Sequence, residues 1–398
     1  MKLKVRIVAG VIGILAIAAC SKLIPPAPAD NELLDGPVAG LSNEEHAQFV
    51  AGDIAFNDNI FTTANGLGPV FVATSCGSCH PGDGKGHPFT TLTRFGQTDS
   101  TGNQYLHLGG PQLQNRAIPG YEPEQLPSGA SFSKFTPPAV TGLGFLAALA
   151  DLQILANADP NDADGDGISG VVNYIAPRPY FEPQTHHQPV NGKYIGRFGK
   201  KAGAIDLLMQ TVNAYNQDIG ITSTFEPVDP YSGQTVGPEV SDQTVRDVVF
   251  YLNTLKAPVP RDQDNPEVIT GQQLFTQIGC NKCHIAEWTT PDSDILALSN
   301  KTFRPYTDLL LHDMGADLDD GYTEGTALTG EWRTPPLWGL GLSANSQGGQ
   351  YFLLHDGRAK SIQEAIQMHG GEGTNSKNQF NALAQSDRDA VIAFLKSL

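Results

Sequence analysis

Residues 76–80 read CGSCH, and residues 280–284 read CNKCH. The chain of 398 residues has 5 cysteines, and all of them except Cys20 lie in these two pentapeptides. Each pentapeptide places two cysteines three positions apart and a histidine directly after the second. Cysteines in this pattern form disulfides in exported proteins, bind zinc, carry out thiol redox chemistry or attach a haem of the c type.

The histidine after each cysteine pair favours haem attachment. Cysteines at positions i and i+3 lie on one face of a helical turn, where their sulfurs can bond the two vinyl groups of a porphyrin while the next imidazole binds the iron. A zinc site would need four ligands gathered from both pentapeptides and does not require histidine at this position. A thioredoxin-like site needs a βαβ setting, which neither flank offers. The sequence therefore predicts two covalently bound haem c groups, attached through Cys76, Cys79, Cys280 and Cys283, with His80 and His284 as proximal iron ligands.

The first forty residues are expected to lie outside the fold. MKLKVR supplies positive charges, an apolar stretch too short for a comfortable membrane span follows, and small residues precede Cys20. This pattern is typical of a bacterial lipoprotein signal at residues 1–19, with Cys20 lipidated and residues 20–40 as a Pro-rich tether. An uncleaved membrane anchor is the alternative. Both interpretations place the body outside the cytoplasm, on the periplasmic side or in the cell envelope.

A weak internal repeat predicts two domains. GDIAF at residues 52–56 precedes the first pentapeptide, and GQQLF at residues 271–275 precedes the second. Helical patterns close each unit, RDVVFYLNTL at 246–255 and RDAVIAFLKSL at 388–398. Helix, haem turn, insert and closing helix is the layout of a small cytochrome c domain. We therefore expect a mainly α fold with long loops: two cytochrome c-like domains, at residues 41–258 and 259–398, with a large insert in the first.

The formal charge of −17 restricts the partners. A chain this acidic is repelled by phosphate and is a poor nucleic-acid binder, whereas a small basic protein would be attracted. Within the insert, DPNDADGDGISG resembles a calcium loop, with Asp162, Asp164, Asp166, the Ile168 carbonyl and Asn173 at the ligand positions. The glutamate usual at the last position is absent, and a solvated acidic turn is the alternative.

The C-terminal run, EWRTPPLWGLGL followed by YFLLHDGRAKSIQEAIQMHGGEG, resembles the electron-transfer domain of bacterial di-haem cytochrome c peroxidases. The resemblance extends over nearly the whole mature chain to the related di-haem oxidoreductase family, also labelled peroxidase or thiol oxidoreductase. It is carried by LQNRAIPG, FTPPAVTGLGFL, ADPNDADGDGISG, GRFGKKA, DIGIT and PYTDLLLHDMG, in that order. All cysteines of the body are accounted for by haem attachment, so the thiol label has no support in the residues.

The resemblance implies iron ligands on the far side of each haem. For the C-terminal haem the matching position is His369 or, one residue earlier, Met368, with Met314 as a third candidate. For the N-terminal haem, His107 and Arg116 match the distal histidine and the catalytic arginine of the peroxidases, and His87 is a further candidate. Arg116 would stabilise charge on a peroxide oxygen, with binding of a haem propionate as the alternative. The implied activity is reduction of peroxide at the N-terminal haem, with electrons from a small donor cytochrome entering through the C-terminal haem.

One residue departs from the family pattern. The family usually reads GLGLLEAI, but this chain reads GLGFLAALAD, with Ala147 where the glutamate is expected. Peroxide cleavage needs a group that moves a proton, so Asp151 or a histidine must replace that glutamate if the chain is a peroxidase. The alternatives are a di-haem electron carrier without a substrate and a haem-dependent oxidase of a protein or organic substrate. Trp332 and Trp338 are candidates for electron passage, with buried packing as the simpler role.

Overall fold

The computed structural model describes residues 28–398. The predicted signal, the lipidation site at Cys20 and most of the tether therefore lie outside the described residues. The chain divides into two units after Leu33. The described part of the first, residues 28–33, contains the short 3-10 turn Asp30–Glu32, and the second spans residues 34–398. Among the described residues, no helix is both long and apolar enough to cross a membrane.

Helices dominate the regular structure of the described residues, as the sequence predicted, and the strands are short. The α-helices of residues 34–398 are α1 (Asn43–Asp53), α2 (Cys76–Cys79), α3 (Leu143–Ala147), α4 (Asp151–Leu155), α5 (Leu207–Asp218), α6 (Asp242–Thr254), α7 (Pro266–Gln277), α8 (Ser343–Ser346), α9 (Ile362–Gln367), α10 (Thr374–Ala382) and α11 (Gln385–Ser397). Single 3-10 or π turns occur at Ile54–Asp58, Pro81–Asp83, Pro88–Thr90, Cys280–Lys282, Leu296–Leu298, Ala316–Leu318, Leu340–Leu342 and Gly371–Gly373.

The strands form five antiparallel two-stranded ribbons within long loops. They are β1 (Val70–Phe71), β2 (Leu92–Phe95), β3 (Arg116–Ala117), β4 (Phe132–Phe135), β5 (Tyr174–Ile175), β6 (Tyr194–Ile195), β7 (Trp288–Thr289), β8 (Thr302–Phe303), β9 (Leu311–Asp313) and β10 (Glu331–Arg333). The pairs are β1 with β3, β2 with β4, β5 with β6, β7 with β8, and β9 with β10. Such ribbons have no large buried face, so the core is built by the helices.

The predicted repeat is visible as the same helix crossing made twice. In the N-terminal half α1 crosses α6, and a Cβ on Gly52 would lie 2.1 Å from the carbonyl oxygen of Asp247. In the C-terminal half α7 crosses α11, and a Cβ on Gly271 would lie 1.9 Å from the carbonyl oxygen of Ala390. Only glycine allows two helix backbones to approach this closely. The glycines that begin GDIAF and GQQLF therefore have the same structural role, which is to let two helices cross at short distance.

A second matched pair of contacts lies at the ends of the closing helices. The runs FTPPAVTGLG and RTPPLWGLG both end in a glycine that touches the closing helix of its own half: Gly144 at the Asn253 carbonyl and Gly341 at the Lys396 carbonyl, where added Cβ atoms would lie 1.8 and 1.9 Å away. This repeat, TPP followed by GLG after three residues in the first copy and two in the second, was missed in the sequence. The halves share these contacts within one compact unit, and their division into domains at residue 258 stays a prediction.

The closing helices bury the stripes that their sequences predicted. On α6 the buried side chains include Val245, Val248 and Leu252, and on α11 they include Val391, Phe394 and Leu395. The first group packs with α1 and the insert, and the second with α7 and α9. Each half thus has its own apolar core, which positions its CxxCH turn.

Candidate functional site

Both CxxCH turns face one cavity. Cys76, Cys79 and His80 line it from the N-terminal half, and Cys280, Cys283 and His284 from the C-terminal half. The cavity, with its open mouth included, encloses about 3300 Å³ and has a mostly apolar wall. The first turn starts at Ser75, whose hydroxyl accepts the Ser78 amide at 3.2 Å, and the second follows Gly279 in a left-handed conformation. Local capping therefore fixes the direction of both turns.

The four cysteines are free thiols, of which Cys79 is buried and the other three are half-buried. No disulfide joins Cys76, Cys79, Cys280 and Cys283. Burial raises the pKa of Cys76 to about 12 and that of Cys280 to about 12, and the Asp218 carboxylate adds to the effect at Cys76. Redox-active and zinc-binding cysteines need the opposite, a stabilised thiolate. Neutral thiols in an apolar wall suit addition to an organic group that fills the cavity.

The two histidines are held in one orientation by backbone carbonyls. His80 Nδ1 donates to the Pro138 carbonyl at 2.8 Å, and His284 Nδ1 donates to the Tyr306 carbonyl at 3.0 Å. Burial lowers the pKa of each imidazole to about 4, so both are neutral at physiological pH. These contacts leave Nε2 of each ring as the basic nitrogen on the cavity wall, which is the arrangement of an iron-ligating histidine.

The structure brings two of the three candidates for the C-terminal distal position, His369 and Met314, to the cavity wall. His369 lines the cavity, and its Nδ1 donates to the Ala365 carbonyl at 2.7 Å, which leaves Nε2 without a partner among the described residues. Its charge also acts on His284, so the two rings are near each other. Met368 packs into the C-terminal core and is not part of the cavity wall, whereas Met314 is. The count that favoured His369 over Met368 agrees with this geometry.

The part of the cavity wall that comes from the N-terminal half differs from the C-terminal part in its potential iron ligands. Between residues 56 and 252, the described part of the cavity lining contains one histidine, His80, and no methionine. His107 is exposed, donates from Nδ1 to the Gln104 carbonyl at 3.1 Å and does not line the cavity. His87 packs edge-to-face against Phe352 and also lies outside the lining. The prediction of His107 as a distal ligand is therefore wrong, because the loop that follows β2 carries it to the surface.

Arg116 is likewise misplaced by the sequence reasoning. It is an exposed residue of β3, paired with Phe71, and does not line the cavity. Three arginines line the cavity: Arg94, Arg197 and Arg333. Arg197, of the GRFGKKA run, is the most buried of them, at 1% exposed. It forms an ion pair with Asp151 and donates to the carbonyls of Leu146, Ala147 and Leu149. Its Nε has no partner among the described residues.

Asp151 does not replace the expected glutamate as a proton carrier. It is completely buried, accepts the Gln188 amide at 2.6 Å and holds Arg197, and it is not part of the cavity wall. The carboxyl group that does line the N-terminal half is Asp218, at the end of α5 in the DIGIT run. Burial raises the pKa of Asp218 to about 6, and Gln112 Nε2 donates to it. Sequence reasoning quoted this run for the resemblance but assigned it no role.

The family profile described as "Di-haem oxidoreductase, putative peroxidase" matches residues 31–95 and 133–398. The chain belongs to this di-haem oxidoreductase family. Among solved structures, hydrazine synthase from Kuenenia stuttgartiensis is similar, with 14% identity and a TM-score of 0.41 over 94% of this chain and 98% of that one. A MauG-like protein associated with microbial copper homeostasis shows 13% identity and a TM-score of 0.41 over 94% of each chain. No significant match was found among curated proteins.

The residues of this di-haem oxidoreductase fit two haems. Each half supplies two thiols and one neutral histidine with a free Nε2 to the same cavity. Haem iron takes imidazole nitrogen as an axial ligand, and the apolar wall suits a porphyrin. The donor set therefore agrees with the cofactors that the family binds.

The predicted calcium loop is only partly supported. Asp162, Asp164 and Asp166 each accept a backbone amide within the turn, from Gly167, Asp166 and Ile168 at 3.1, 3.1 and 2.9 Å. Asn173 is 1% exposed and is used elsewhere, donating to the Lys201 and Glu324 carbonyls at 2.6 and 3.0 Å. It is not a ligand position of this turn. The carboxylates that approach one another are those of Asp159, Asp162 and Asp164.

The remaining candidate residues have orienting contacts. His312 lies between Asp308 at 2.8 Å and Glu372 at 2.6 Å, and although burial opposes protonation, the hydrogen bonds to Asp308, Cys283 and Glu372 raise its pKa to about 12. His355 stacks on Trp332 with ring centroids 3.7 Å apart. Both histidines thus have partners of their own, and Trp332 and Trp338 both line the cavity while packing in the core.

Proposed function

We propose that this di-haem oxidoreductase reduces peroxide at its N-terminal haem, with electrons entering through the C-terminal haem. The observation that carries the proposal is the asymmetry of the cavity wall. His284 is accompanied by His369, whereas the wall from residue 56 to 252 offers His80 and no second histidine or methionine. Iron with one axial ligand binds and activates small oxygen species, while iron with two mainly transfers electrons.

We propose that the haems are attached through thioether bonds at Cys76, Cys79, Cys280 and Cys283. The support is the set of free thiols in the cavity wall beside His80 and His284. The haems would supply the electron storage and the iron that accepts peroxide. Intact mass of protein matured in a host that assembles c-type cytochromes tests the attachment: two added haem masses are expected, and the bare polypeptide mass would contradict it.

The proposed chemistry gives two roles to residues of the N-terminal wall. Reduction of H2O2 to two molecules of water consumes two electrons and two protons. Asp218 is the group that we assign to proton transfer, since its pKa of about 6, raised by burial, allows it to take up and release protons near neutral pH. Arg197 supplies a fixed positive charge and an unpartnered N–H, which favour the negative charge that develops on oxygen.

The test is steady-state peroxide reduction by the holoprotein with a reduced small cytochrome as donor. We expect Asp218→Asn to lower kcat by roughly 100-fold, the range typical of a lost general acid–base group, while Asp58→Asn, at an exposed position, has no effect. Peroxide turnover that is absent in the natural protein, or equal in both variants and the natural protein, would contradict the assignment.

The second candidate is a di-haem electron carrier without a substrate. Ala147, where the family has glutamate, is the residue that favours it. A carrier would exchange electrons with the same donor but would show no peroxide-dependent oxidation. The two candidates are therefore distinguished by the same assay.

We also propose a location and a bound ion. A lipid on Cys20 would hold the body on the periplasmic side of a membrane, and radiolabelled palmitate incorporation that is lost in Cys20→Ser tests it. Calcium would bind at Asp162, Asp164 and Asp166, with Asp159 in place of the absent glutamate, because the carboxylates of Asp159, Asp162 and Asp164 approach one another; Asp166 would have to leave its ion pair with Lys282. Calcium titration by calorimetry tests this, with Asp162→Asn/Asp164→Asn expected to lose the heat signal.

A further inference from the structure

Four cationic side chains line the cavity without an ionic partner among the described residues: Lys85, Lys200, Arg333 and Lys377. Lys377, on α10, acts on His369, whereas Lys85, Lys200 and Arg333 act on one another and form a group. Within residues 28–398, none of them forms an ion pair with a carboxylate. The nearest acidic influences, Asp356 on Lys200 and Asp308 on Arg333, act at longer range, and both of those carboxylates already bind other partners. A charge that is removed from water without a counter-charge is costly, so these three indicate an anion in the cavity.

The three cations come from three distant segments and converge. Lys85 follows the first CxxCH turn, Lys200 lies in the insert, and Arg333 ends β10 in the C-terminal half. The Arg333 amide donates to the Lys200 carbonyl at 3.0 Å, and Arg333 Nε donates to the Gly199 carbonyl at 2.9 Å. Burial, together with the positive charges of Lys85 and Arg333, lowers the pKa of Lys200 to about 7. All three are therefore close enough to repel one another.

Lys201, the next residue, differs from Lys200 because its ammonium group has hydrogen-bond partners within the protein. Its ammonium donates to the carbonyls of Leu328, Thr329 and Glu331 at 3.1, 2.7 and 2.6 Å and lies 3.9 Å from the centre of the Trp332 ring. Lys200 has no such hydrogen bonds and lines the cavity instead. The KK pair of GRFGKKA thus divides into one structural lysine and one that is available for a ligand.

The chemistry of the cavity identifies the anion. A haem carries two propionate carboxylates on the edge away from its vinyl groups, so attachment of the vinyl edge at the cysteines directs the propionates elsewhere along the wall. We propose that Lys85, Lys200 and Arg333, here named the cavity cations, bind propionates of both haems and raise their reduction potentials. The inference rests on the two haems of the family and is independent of peroxide reduction.

The expected effect on the midpoint potentials follows from the positive charge of the cavity cations. Reduction adds one electron to a haem, and a nearby positive charge stabilises the reduced form more than the oxidised form. Removing that charge therefore lowers the midpoint potential. Because the cations come from both halves, the loss of one is expected to move both potentials rather than one.

The experiment is a spectroelectrochemical titration of the holoprotein. Lys200→Gln is expected to lower both midpoint potentials, and Lys85→Gln to do the same independently. Lys200→Arg keeps the charge and should resemble the natural protein. Lys301→Gln removes the same charge at an exposed position and serves as the matched control. Equal potentials in Lys200→Gln, Lys85→Gln and Lys301→Gln would overturn the inference.

Haem content gives a second readout that does not depend on activity. If Lys200→Gln accumulates with less haem while Lys200→Arg and Lys301→Gln load fully, the positive charge is needed to hold the propionates, which also supports the inference. If Lys200→Arg loses haem as severely as Lys200→Gln, the position rather than its charge matters, and the inference fails. Failure of peroxide turnover alone changes neither result.

Discussion

His369 and Met368 are neighbours on the chain, yet only His369 reaches the cavity. The helix α9 ends at Gln367, and the turn that follows directs Met368 into the C-terminal core. His369 keeps its ring oriented through the Ala365 carbonyl. The difference is one of direction, since successive residues of a helical turn point about 100° apart.

Replacing His369 by glycine should therefore free the second axial position of the C-terminal haem iron. We expect the visible spectrum of the oxidised holoprotein to gain a high-spin band, because the iron loses its second axial nitrogen. Met368→Leu is the matched control and should leave the spectrum unchanged. High-spin character in the methionine variant but not in His369→Gly would show that Met368 is the ligand.

Arg197 is the residue whose loss should damage the fold most. Arg197→Gln leaves the Asp151 carboxylate buried without its partner, which costs about 3–5 kcal/mol of unfolding free energy. Urea denaturation of the holoprotein measures this. Arg116→Gln, at the exposed arginine, should change the free energy of unfolding by less than about 0.5 kcal/mol. Similar losses in both variants would contradict the structural distinction between the two arginines.

At the scale of elements, the HDG loop is tied to β4 through one carboxylate. Asp320 accepts from Ser133 at 2.6 Å and from His355 at 2.7 Å, and it pairs with Arg358 at 3.0 Å. Burial alone would raise its pKa, but these hydrogen bonds and charges outweigh burial and hold the pKa at about 2. The folded state therefore binds the proton less tightly than the unfolded state, whose Asp pKa is about 3.9.

This linkage gives a pH prediction. Stability from Asp320 is present above pH 4 and is lost as the pH falls toward 2, and it amounts to about 2 kcal/mol. Asp320→Asn should lower the unfolding free energy at pH 7 and flatten the acid limb between pH 4 and 2. Denaturation across that range measures it, with Asp58→Asn as the exposed control. An acid limb that is as steep in Asp320→Asn as in the natural protein would refute the linkage.

The helix crossing of the C-terminal half should reject any side chain at Gly271. An added methyl group would meet the Ala390 carbonyl, and the strain is expected to cost about 1–3 kcal/mol or more. Gly237 has open space around it and no left-handed backbone, so Gly237→Ala is the control and should be nearly neutral. Thermal unfolding compares the two, and an equal melting temperature in both variants would disprove the close approach.

The elements that sequence could predict were those with a local pattern. Apolar stripes on α6 and α11 follow helical periodicity, and the CxxCH turns carry their own chemistry. The residues that were assigned wrongly had been chosen by their distance along the chain from a matching motif. His107 lies before the matching arginine but on an exposed loop, and Asn173 stands at position 12 of the loop but folds back onto Lys201 and Glu324.

Groups that act through tertiary position gave no local signal. Nothing in the run GRFGKKA predicts which of Lys200 and Lys201 faces the cavity, because the two residues are of the same type and adjacent. Asp218 gains its role only because α5 ends at the cavity wall. The internal repeat of TPP and GLG, separated by three residues in one copy and two in the other, was by contrast readable in the sequence and would have predicted the contacts of Gly144 and Gly341.

At the scale of the whole molecule, two halves with matched helix crossings share one cavity but differ in the ligands they offer. One half pairs His284 with His369, and the other presents His80 beside a polar wall that contains Asp218. The cavity cations come from both halves. We propose that this asymmetry suits the protein to accept electrons at one haem and to use them at the other.

The most direct test of this asymmetry is the electron paramagnetic resonance spectrum of the oxidised holoprotein, recorded before and after addition of cyanide. We predict one low-spin haem whose signal is unchanged by cyanide and, in equal amount, one high-spin haem that cyanide converts to low spin. Two low-spin haems that are both unaffected by cyanide would contradict the account.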